Sequence, residues 1–465
     1  MRNLMLAGLI LTIAFTILAA HAQTGPSGFE SPIQLSPSSE NSTIPQLAVS
    51  GNDVYLAWIY NGNGEFGAKF ARSVDGGSTF GQPQDLGLLG GAPDNIRIAA
   101  EGESVVAVWQ SFSENKSSII LVRSSNSGAT FSSPIRISSP SADAAFPQVA
   151  INGTHVYVAW LERTAGDITN VLFAKSDNGG QTFGSPVSIT DHGGNSGIPK
   201  IYAYGSNVYL IWEDNSAKNF DIFLSKSGDF GGTFDSPVNI SANSGNSGVP
   251  QMAVADNAIY AVWMDDSSGH FDIYFAKSTD GGKIFAAPLD VSNGTQDAGY
   301  PQLAVYGQNV YVTWTNTMNS NNYDVFFSKS TDGGRTFGKP INISDDPGAS
   351  GWPLISADGD IYVSWLDNSP GRFDVYIAKS TDNGETFEPP VDVSSSTYGT
   401  WYGQMSVSSG TVYLAWLGVG NQSNGIMFSK STTFVPEFGT AAMYVLAAST
   451  VAIVLAARFS KFRLK

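Results

Sequence analysis

The chain has 465 residues, a formal net charge of −16, four histidines and no cysteine. Such acidity repels nucleic-acid phosphates and no basic patch interrupts it, so nucleic acid is not an expected partner. Without cysteine there are no disulfides and no thiol chemistry. His21, His155, His192 and His270 show no metal-ligand spacing, which argues against a zinc site or a Ser-His-Asp triad.

The N-terminus reads as a secretory signal peptide. Arg2 precedes an apolar run from Leu4 to Ala20 and the small-residue site Ala20-His21-Ala22, so residues 1–22 are expected to be removed and the mature chain to begin at Gln23. Phe29–Ser36 then reads as a single strand with no local partner. After it, a hydrophobic pentad ending in tryptophan recurs at Trp58, Trp109, Trp160, Trp212, Trp263, Trp314, Trp365 and Trp416, always 51 or 52 residues apart. A second marker, a turn of the form Ser-x-Asp-x-Gly-x-Thr-Phe, closes on Phe80, Phe131, Phe183, Phe234, Phe285, Phe337 and Phe387. A strand-rich repeat of this length is the blade of a β-propeller.

One unit shows the pattern. Strands are expected at Pro301–Val305, Val310–Trp314, Asp324–Lys329 and, after the turn, Pro340–Ser344, in β-branched and aromatic blocks bounded by Gly, Asn, Asp and Pro. The last repeat stops after a third strand at Met427–Ser431, which the lone strand at Phe29–Ser36 would complete. The expected fold is therefore all-β: an eight-bladed propeller of four-stranded antiparallel blades over residues 23–434, its ring closed by strands from both termini.

Chemistry is expected on the face of the 2–3 and 4–1 loops, opposite the Ser-x-Asp turns. Two residue sets recur there. Asp214 with Asp221, Asp265 with Asp272, Asn316 with Asp324 and Asp367 with Asp374 pair carboxylates or amides across a hairpin in blades 4 to 7. Oxygen-rich pairs suit Ca²⁺, and equally suit local turns in which Asp accepts backbone N–H bonds. The second set opens the inner strands: Gln46, Arg97, Gln148, Lys200, Gln251, Gln302, Leu354 and Gln404, a largely amide ring preceded by Phe146, Tyr300, Trp352, Trp401 and Tyr402. Aromatic faces beside amides suit sugar rings, and would also serve as packing between blades. Glu162, Asp214 and Asp265 are candidate carboxylates for a glycosidase, but nothing in the spacing selects a pair.

Seven Asn-x-Ser/Thr sequons, at Asn41, Asn115, Asn152, Asn239, Asn293, Asn342 and Asn421, fit an exported surface without defining a function. Residues 435–465 contain Val435-Pro436-Glu437-Phe438-Gly439, an uncharged stretch to Ala457, and Arg458, Lys461, Arg463 and Lys465. That order reads as a transmembrane helix with a basic cytoplasmic end, leaving the propeller outside. The tail resembles the PEF-type sorting signals of archaeal surface proteins. The resemblance implies either processing near Pro436 with transfer to a lipid or retention as a membrane helix.

The recurring turn resembles the Asp-box, or BNR repeat, of sialidase-like propellers, with Ser73-Val-Asp75-Gly-Gly77-Ser-Thr-Phe80 and Ser380-Thr-Asp382-Asn-Gly384-Glu-Thr-Phe387 as clear copies. The resemblance implies a peripheral, structural role for Asp75, Asp229, Asp280, Asp332 and Asp382, which Asn126 and Asn178 replace in two turns. It also implies a test for sialidase chemistry, which uses an arginine cluster, a Tyr-Glu pair and an Asp acid/base. The Arg-Ile-Pro motif of that family is missing, and only Arg97, Arg163 and Arg372 are candidates to face the channel, so no catalytic residue is assigned. The resulting expectation is a monomeric cell-surface propeller that binds glycans or other envelope components without catalysis. The alternatives are a sialidase-like glycoside hydrolase and a structural envelope protein.

Overall fold

The computed structural model describes residues 28–434, apart from 38, 63, 114–115, 165, 191–192, 256, 295, 320–321, 396–398 and 421–423. The signal peptide, the PEF motif, the transmembrane segment and the sequons at Asn115 and Asn421 lie outside the described residues. Among the described residues no helix is long and apolar enough to cross a membrane.

The described chain forms eight four-stranded antiparallel sheets, the blades of a propeller. Blade 1 runs through Asn41–Ser50, Asp53–Gly62, Glu65–Ser73 and Gln84–Asp85, and the next six blades repeat this order. Blade 8 takes Thr400–Ser408, Thr411–Gly418 and Gly425–Ser431 from the C-terminal end and Ile33–Gln34 from the N-terminal end, with Ile33 opposite Phe428 and Gln34 opposite Met427. Pairing the two ends leaves blade 8 without an open edge at its third strand. Residues 28–31 and 431–434 belong to a separate small unit, in which Phe29 meets Phe434 edge to face at 5.3 Å and Ser431 donates to the Gly28 carbonyl at 2.7 Å.

The tryptophan pentads are the second strands, and each is buried on both faces. Val54, Leu56 and Trp58 pack against Tyr413, Leu417 and Phe428 of blade 8, whereas Tyr55, Ala57 and Ile59 pack against Val105, Ala107 and Trp109 of blade 2. The same alternation joins blades 2 and 3 through Val106, Val108 and Trp160, and blades 4 and 5 through Tyr209, Ile211 and Trp263. A strand sandwiched between neighbours has no solvated face, so its sequence is a continuous apolar run instead of an alternating one.

The Ser-x-Asp turns add a second contact between blades. The Asp75 carboxylate accepts from Thr79 N at 2.8 Å and Thr79 Oγ1 at 2.6 Å, while Ser73 Oγ accepts from Gly77 N at 2.8 Å. These bonds hold Asp75, Asp229, Asp332 and Asp382 well below the ordinary carboxylate range and also lower Asp280. The closing aromatic then reaches across to the preceding blade: Phe131 meets Phe70 at 4.7 Å, Phe337 meets Phe275 at 4.9 Å and Phe80 meets Phe428 of blade 8 at 4.9 Å, each edge to face. Third-strand cations cross the same junctions from the other side. Lys277 Nζ donates to the Gly333 carbonyl in the next turn at 2.8 Å, and Lys430 Nζ to that of Gly76 at 2.8 Å.

The first strands differ from the expected boundaries. In blade 6 the strand starts at Ala298, before Pro301, and carries a register shift between Gly299 and Gln302. Similar shifts occur in every blade except the fourth, whose first strand is only Lys200–Tyr204. Proline has no N–H to give a ladder, and a bulge is where a strand can accommodate it.

Candidate functional site: the channel mouth

The bulges set the geometry of the candidate site. Ile44, Asn95, Phe146, Val249, Tyr300, Trp352 and Tyr402 sit at the bulged position with φ between 49° and 54°, in the left-handed region. For β-branched and aromatic residues this conformation costs roughly 1–3 kcal/mol each, and such strain persists only where its surroundings impose it. The bulge turns these side chains out of the strand at the end of the blade that carries the 2–3 and 4–1 loops.

On blades 6 to 8 the turned-out residues form an aromatic arc. Tyr300, Trp352, Trp401 and Tyr402 keep 51%, 47%, 40% and 54% of their surface exposed. Tyr300 lies 6.2 Å from Trp352 with the rings tilted by 49°, and Trp352 lies 6.1 Å from Trp401 at 71°. Phe373, which the sequence reading did not single out, backs both tryptophans at 5.9 Å and 4.9 Å. Tyr300, Tyr323, Trp352 and Phe373 wall a cleft of about 430 Å³ between blades 6 and 7. Phe146 is 37% exposed on blade 3, apart from the arc.

Beneath the mouth lies the polar ring. Gln46, Arg97 and Gln404, from blades 1, 2 and 8, share a cavity of about 550 Å³ with Phe146 and Tyr402, so the first strands do line the channel. Gln46, Gln148 and Gln404 each donate Nε2 to the carbonyl of the preceding residue at 2.9, 2.9 and 3.1 Å, and Arg97 Nη1 does the same to Ile96 at 2.8 Å. Burial and the like charge of Arg97 bring the Lys200 ammonium down to about 8. Gln302 lines the cleft below Tyr300 and Trp352, and Gln251 stands opposite Val262, half-buried.

The paired aspartates are elsewhere, inside the hairpins. Asp214 stands opposite Asp221, Asp265 opposite Asp272, Asn316 opposite Asp324 and Asp367 opposite Asp374, and all seven aspartates are buried. Their oxygens receive protein donors. Asp265 accepts from Asn243 Nδ2 at 2.7 Å, Ser247 Oγ at 2.6 Å and Ser267 N at 3.0 Å. Asp221 accepts from Asn239 at 2.8 Å and Ser241 at 2.9 Å, and Asp374 accepts from Ser394 at 2.9 Å and faces Arg372 Nη2 at 3.2 Å. Burial would raise Asp265, but the bonds from Ser247, Ser267 and Asn243 outweigh it and keep the group lowered. Among the described residues no group of three His, Asp or Glu side chains is gathered as a metal cage.

One carboxyl that sequence reasoning missed breaks this pattern. Asp346 takes in blade 7 the position that Asn243 takes in blade 5. Both Oδ1 atoms accept from a glycine N–H two residues on, at 2.6 Å from Gly348 and 2.8 Å from Gly245. Asn243 turns its amide donor to Asp265; Asp346 has only a carboxyl to offer Asp367 and can donate only when protonated. Burial and the hydrogen bond to Asp367 push it up to about 7. The repeat alignment itself carried this signal, an acid at a position where a donor is required.

The other acids each meet a protein donor. Burial pushes Glu162 up, partly offset by the Trp160 indole N–H at 3.3 Å, and pushes up Glu213, offset by Val249 N at 3.1 Å. Asp214 is held by Ser196 Oγ at 2.7 Å and Ser216 N at 2.8 Å. Of the candidate arginines, Arg163 lies 3.9 Å from both Asp143 and Asp167, and Arg372 faces Asp374.

No family model matches the chain, and no curated protein matches it. Solved structures do. The polysaccharide lyase Uly1 superposes with a TM-score of 0.52 at 12% identity, over 87% of this chain and 99% of that one. A GH93 α-L-arabinofuranosidase of Fusarium graminearum gives 0.42 at 13% identity, over 63% and 95%, and the Hadza microbial sialidase Hz136 gives 0.40 at 12% identity, over 68% and 75%. At such identities the similarity is one of fold, and what the chain shares with Uly1 over nearly its whole length is the all-β blade architecture.

Proposed function

We propose that this chain is a cell-surface recognition protein that binds glycans, or other envelope components of similar chemistry, at the channel mouth without transforming them. The observation that supports it most is the aromatic arc of Tyr300, Trp352, Trp401 and Tyr402: large apolar rings left about half exposed, all but Trp401 on strained bulges. A fold seldom keeps such rings in water at a conformational cost unless something covers them. Sugar rings present apolar C–H faces to aromatic planes and hydroxyls to amides, which Gln302 and Gln404 supply below the arc. Ser196 and Ser216 already occupy the Asp214 carboxylate, and Asn243, Ser247 and Ser267 that of Asp265, which supports binding over hydrolysis. The signal peptide and the basic-ended tail would export the chain and hold it at the outer surface, by a membrane helix or by a lipid after processing.

Binding is proposed to need no Ca²⁺, because protein donors or Arg372 already meet the oxygens of the paired aspartates, with Asp324 Oδ1 the exception. The test is a glycan array probed with the purified protein, then titration of the best ligands with and without EDTA. Saturable binding that survives EDTA and weakens about tenfold or more in Tyr300→Ala is the expected result. A loss of binding on chelation would return the aspartate pairs to the site, and turnover of a chromogenic glycoside would favour the sialidase-like alternative.

A further inference from the structure

At three successive junctions the glycine before the bulge faces the residue that follows the tryptophan of the preceding blade. A Cβ on Gly248 would stand 2.8 Å from Glu213 Oε2, one on Gly299 3.9 Å from Met264 Sδ, and one on Gly351 3.6 Å from Thr315 Oγ1. Glu213 and Met264 are long enough to reach across: Glu213 accepts from Val249 N, and Met264 packs against the core shared with blade 6. Thr315 is short. The space it leaves belongs to the 430 Å³ cleft between blades 6 and 7, which Thr315 and Gly351 both line.

This cleft has an exposed aromatic rim and a buried floor. Tyr300, Tyr323 and Trp352 are exposed, whereas Thr315, Ala349 and Ser350 are buried. Thr315 keeps only 8% of its surface, and among the described residues its Oγ1 has no hydrogen-bond partner. Its neighbours on the floor are committed: Ser350 Oγ donates to Asp367 at 2.6 Å, and Asn368 Oδ1 accepts from Ala349 N at 2.7 Å. A buried hydroxyl without a partner is costly, and a ligand group that pairs with it recovers that cost. Threonine both donates and accepts, so a ligand hydroxyl meets it in either direction.

Charge narrows the ligand further. Asp94, Arg97, Lys116, Asp143 and Arg163 line the two clefts beside Phe146, but no charged side chain lines this one. A carboxylate or ammonium seated here would lose water without gaining a counter-charge. A neutral sugar loses nothing of that kind, and the cleft is within the size range of small-ligand sites.

We propose that the cleft between blades 6 and 7 seats one uncharged sugar unit of the bound glycan, with an apolar face on Trp352 and a hydroxyl at Thr315 Oγ1. This rests on the glycan-recognition reading and adds the subsite and the neutral class of its occupant.

The experiment has two arms, both with the purified protein. An array of neutral and uronic-acid glycans reads recognition itself. Titration with the methyl glycosides of glucose, galactose and mannose, and with the matching methyl uronates, followed through the ligand NMR signals, reads the subsite. At least one neutral hexoside is expected to bind saturably and about tenfold or more tighter than its uronate. Thr315→Val keeps the shape and removes the hydroxyl. It should melt at or above the wild-type temperature and weaken the hexoside about fivefold. Gly351→Ala places a methyl group beside Thr315, at ordinary contact distances of 3.6 Å and 3.7 Å, and should weaken the hexoside about tenfold or more with an unchanged melt. If Gly351→Ala melts lower, Thr315→Val decides alone. A uronate that binds as tightly as its hexoside, hexoside binding that Thr315→Val leaves unchanged, or array binding with no saturable hexoside overturns the subsite and leaves recognition standing. No binding anywhere on the array overturns the recognition reading with it.

Discussion

At the scale of single residues, two positions show stability set against another demand. Trp352 holds φ at 54° with its ring half exposed, so the packing of its other half on Tyr300, Phe373 and Trp401 is set against a strained backbone. Glycine adopts that φ at no steric cost. Relief of that strain offsets the lost packing, so Trp352→Gly is expected to melt near the wild-type temperature while losing ligand binding, and a melt several degrees lower would mean that the ring serves chiefly as packing. Asp346 is the second case. The folded state keeps its proton up to about 7, whereas the ordinary value is 3.8, so between these values the folded state binds more protons than the unfolded. Stability attributable to this group is thus present at low pH and falls as pH rises through that window. Asp367 and Asp324, the charged groups acting on it from blades 7 and 6, are both acidic and oppose its ionisation. The lowered Asp367 acts in the other direction, and only as pH falls below the usual carboxylate range. Asp346→Asn supplies a donor at every pH, as Asn243 does. Denaturant titrations from pH 5 to 8 should show a decline in the wild type that flattens in the variant; parallel curves would sink this account of the pair.

At the scale of elements, the tandem Ser-x-Asp turns join neighbouring blades as well as closing their own hairpins. Gly334 shows how close the approach is: a Cβ there would come within 2.6 Å of Phe275 Cζ, and φ is 84°. The edge-to-face pair Phe275–Phe337 should couple by about 1 kcal/mol in a double-mutant cycle of thermal or chemical unfolding, and additive single substitutions would show that the turn packs only within its own blade. The repeat length, the strand count and the local hydrogen bonds of Asp75 or Asp382 were legible in the sequence because they depend on residues close in the chain. The cross-blade direction of Phe131 and Phe337 was not, since the partner sits a full repeat away. The bulges were half legible. Pro147, Pro250, Pro301 and Pro353 all mark them, because a strand interior otherwise rejects proline. Read as strand starts, they placed Tyr300 and Trp352 before the strand instead of on its strained turn. The aromatic residues themselves were named from the sequence and Asp346 was there to be found in the repeat alignment, while Phe373 and Tyr323 emerged only from the packing around them.

At the scale of the whole molecule, eight nearly equal blades pack through their second strands, and the terminal junction uses the contacts found at others: Trp58 packs on blade 8, Phe80 meets Phe428 and Lys430 reaches Gly76. Closure also requires Ile33 and Gln34 to complete blade 8. Removing residues 32–36 leaves the third strand of blade 8 as an open edge, so the shortened protein should melt at lower temperature and self-associate in sedimentation, and an unchanged melt and monomeric profile would show that closure does not depend on that strand. Regularity also bears on function. The blades are alike where they pack and unlike at the mouth, where Ile44, Asn95, Phe146, Val249, Tyr300, Trp352 and Tyr402 put six residue types at one geometric position. The aromatic side of that ring is the central claim of this account, a surface that binds a glycan and leaves it intact. The direct measurement is to saturate the protein with its best array ligand, compare wild type with Trp352→Ala, and recover the glycan for mass spectrometry. The account predicts saturable binding that weakens about tenfold or more in the variant, with every recovered glycan at its original mass. Cleaved or otherwise altered glycan, or binding indifferent to Trp352, would contradict it.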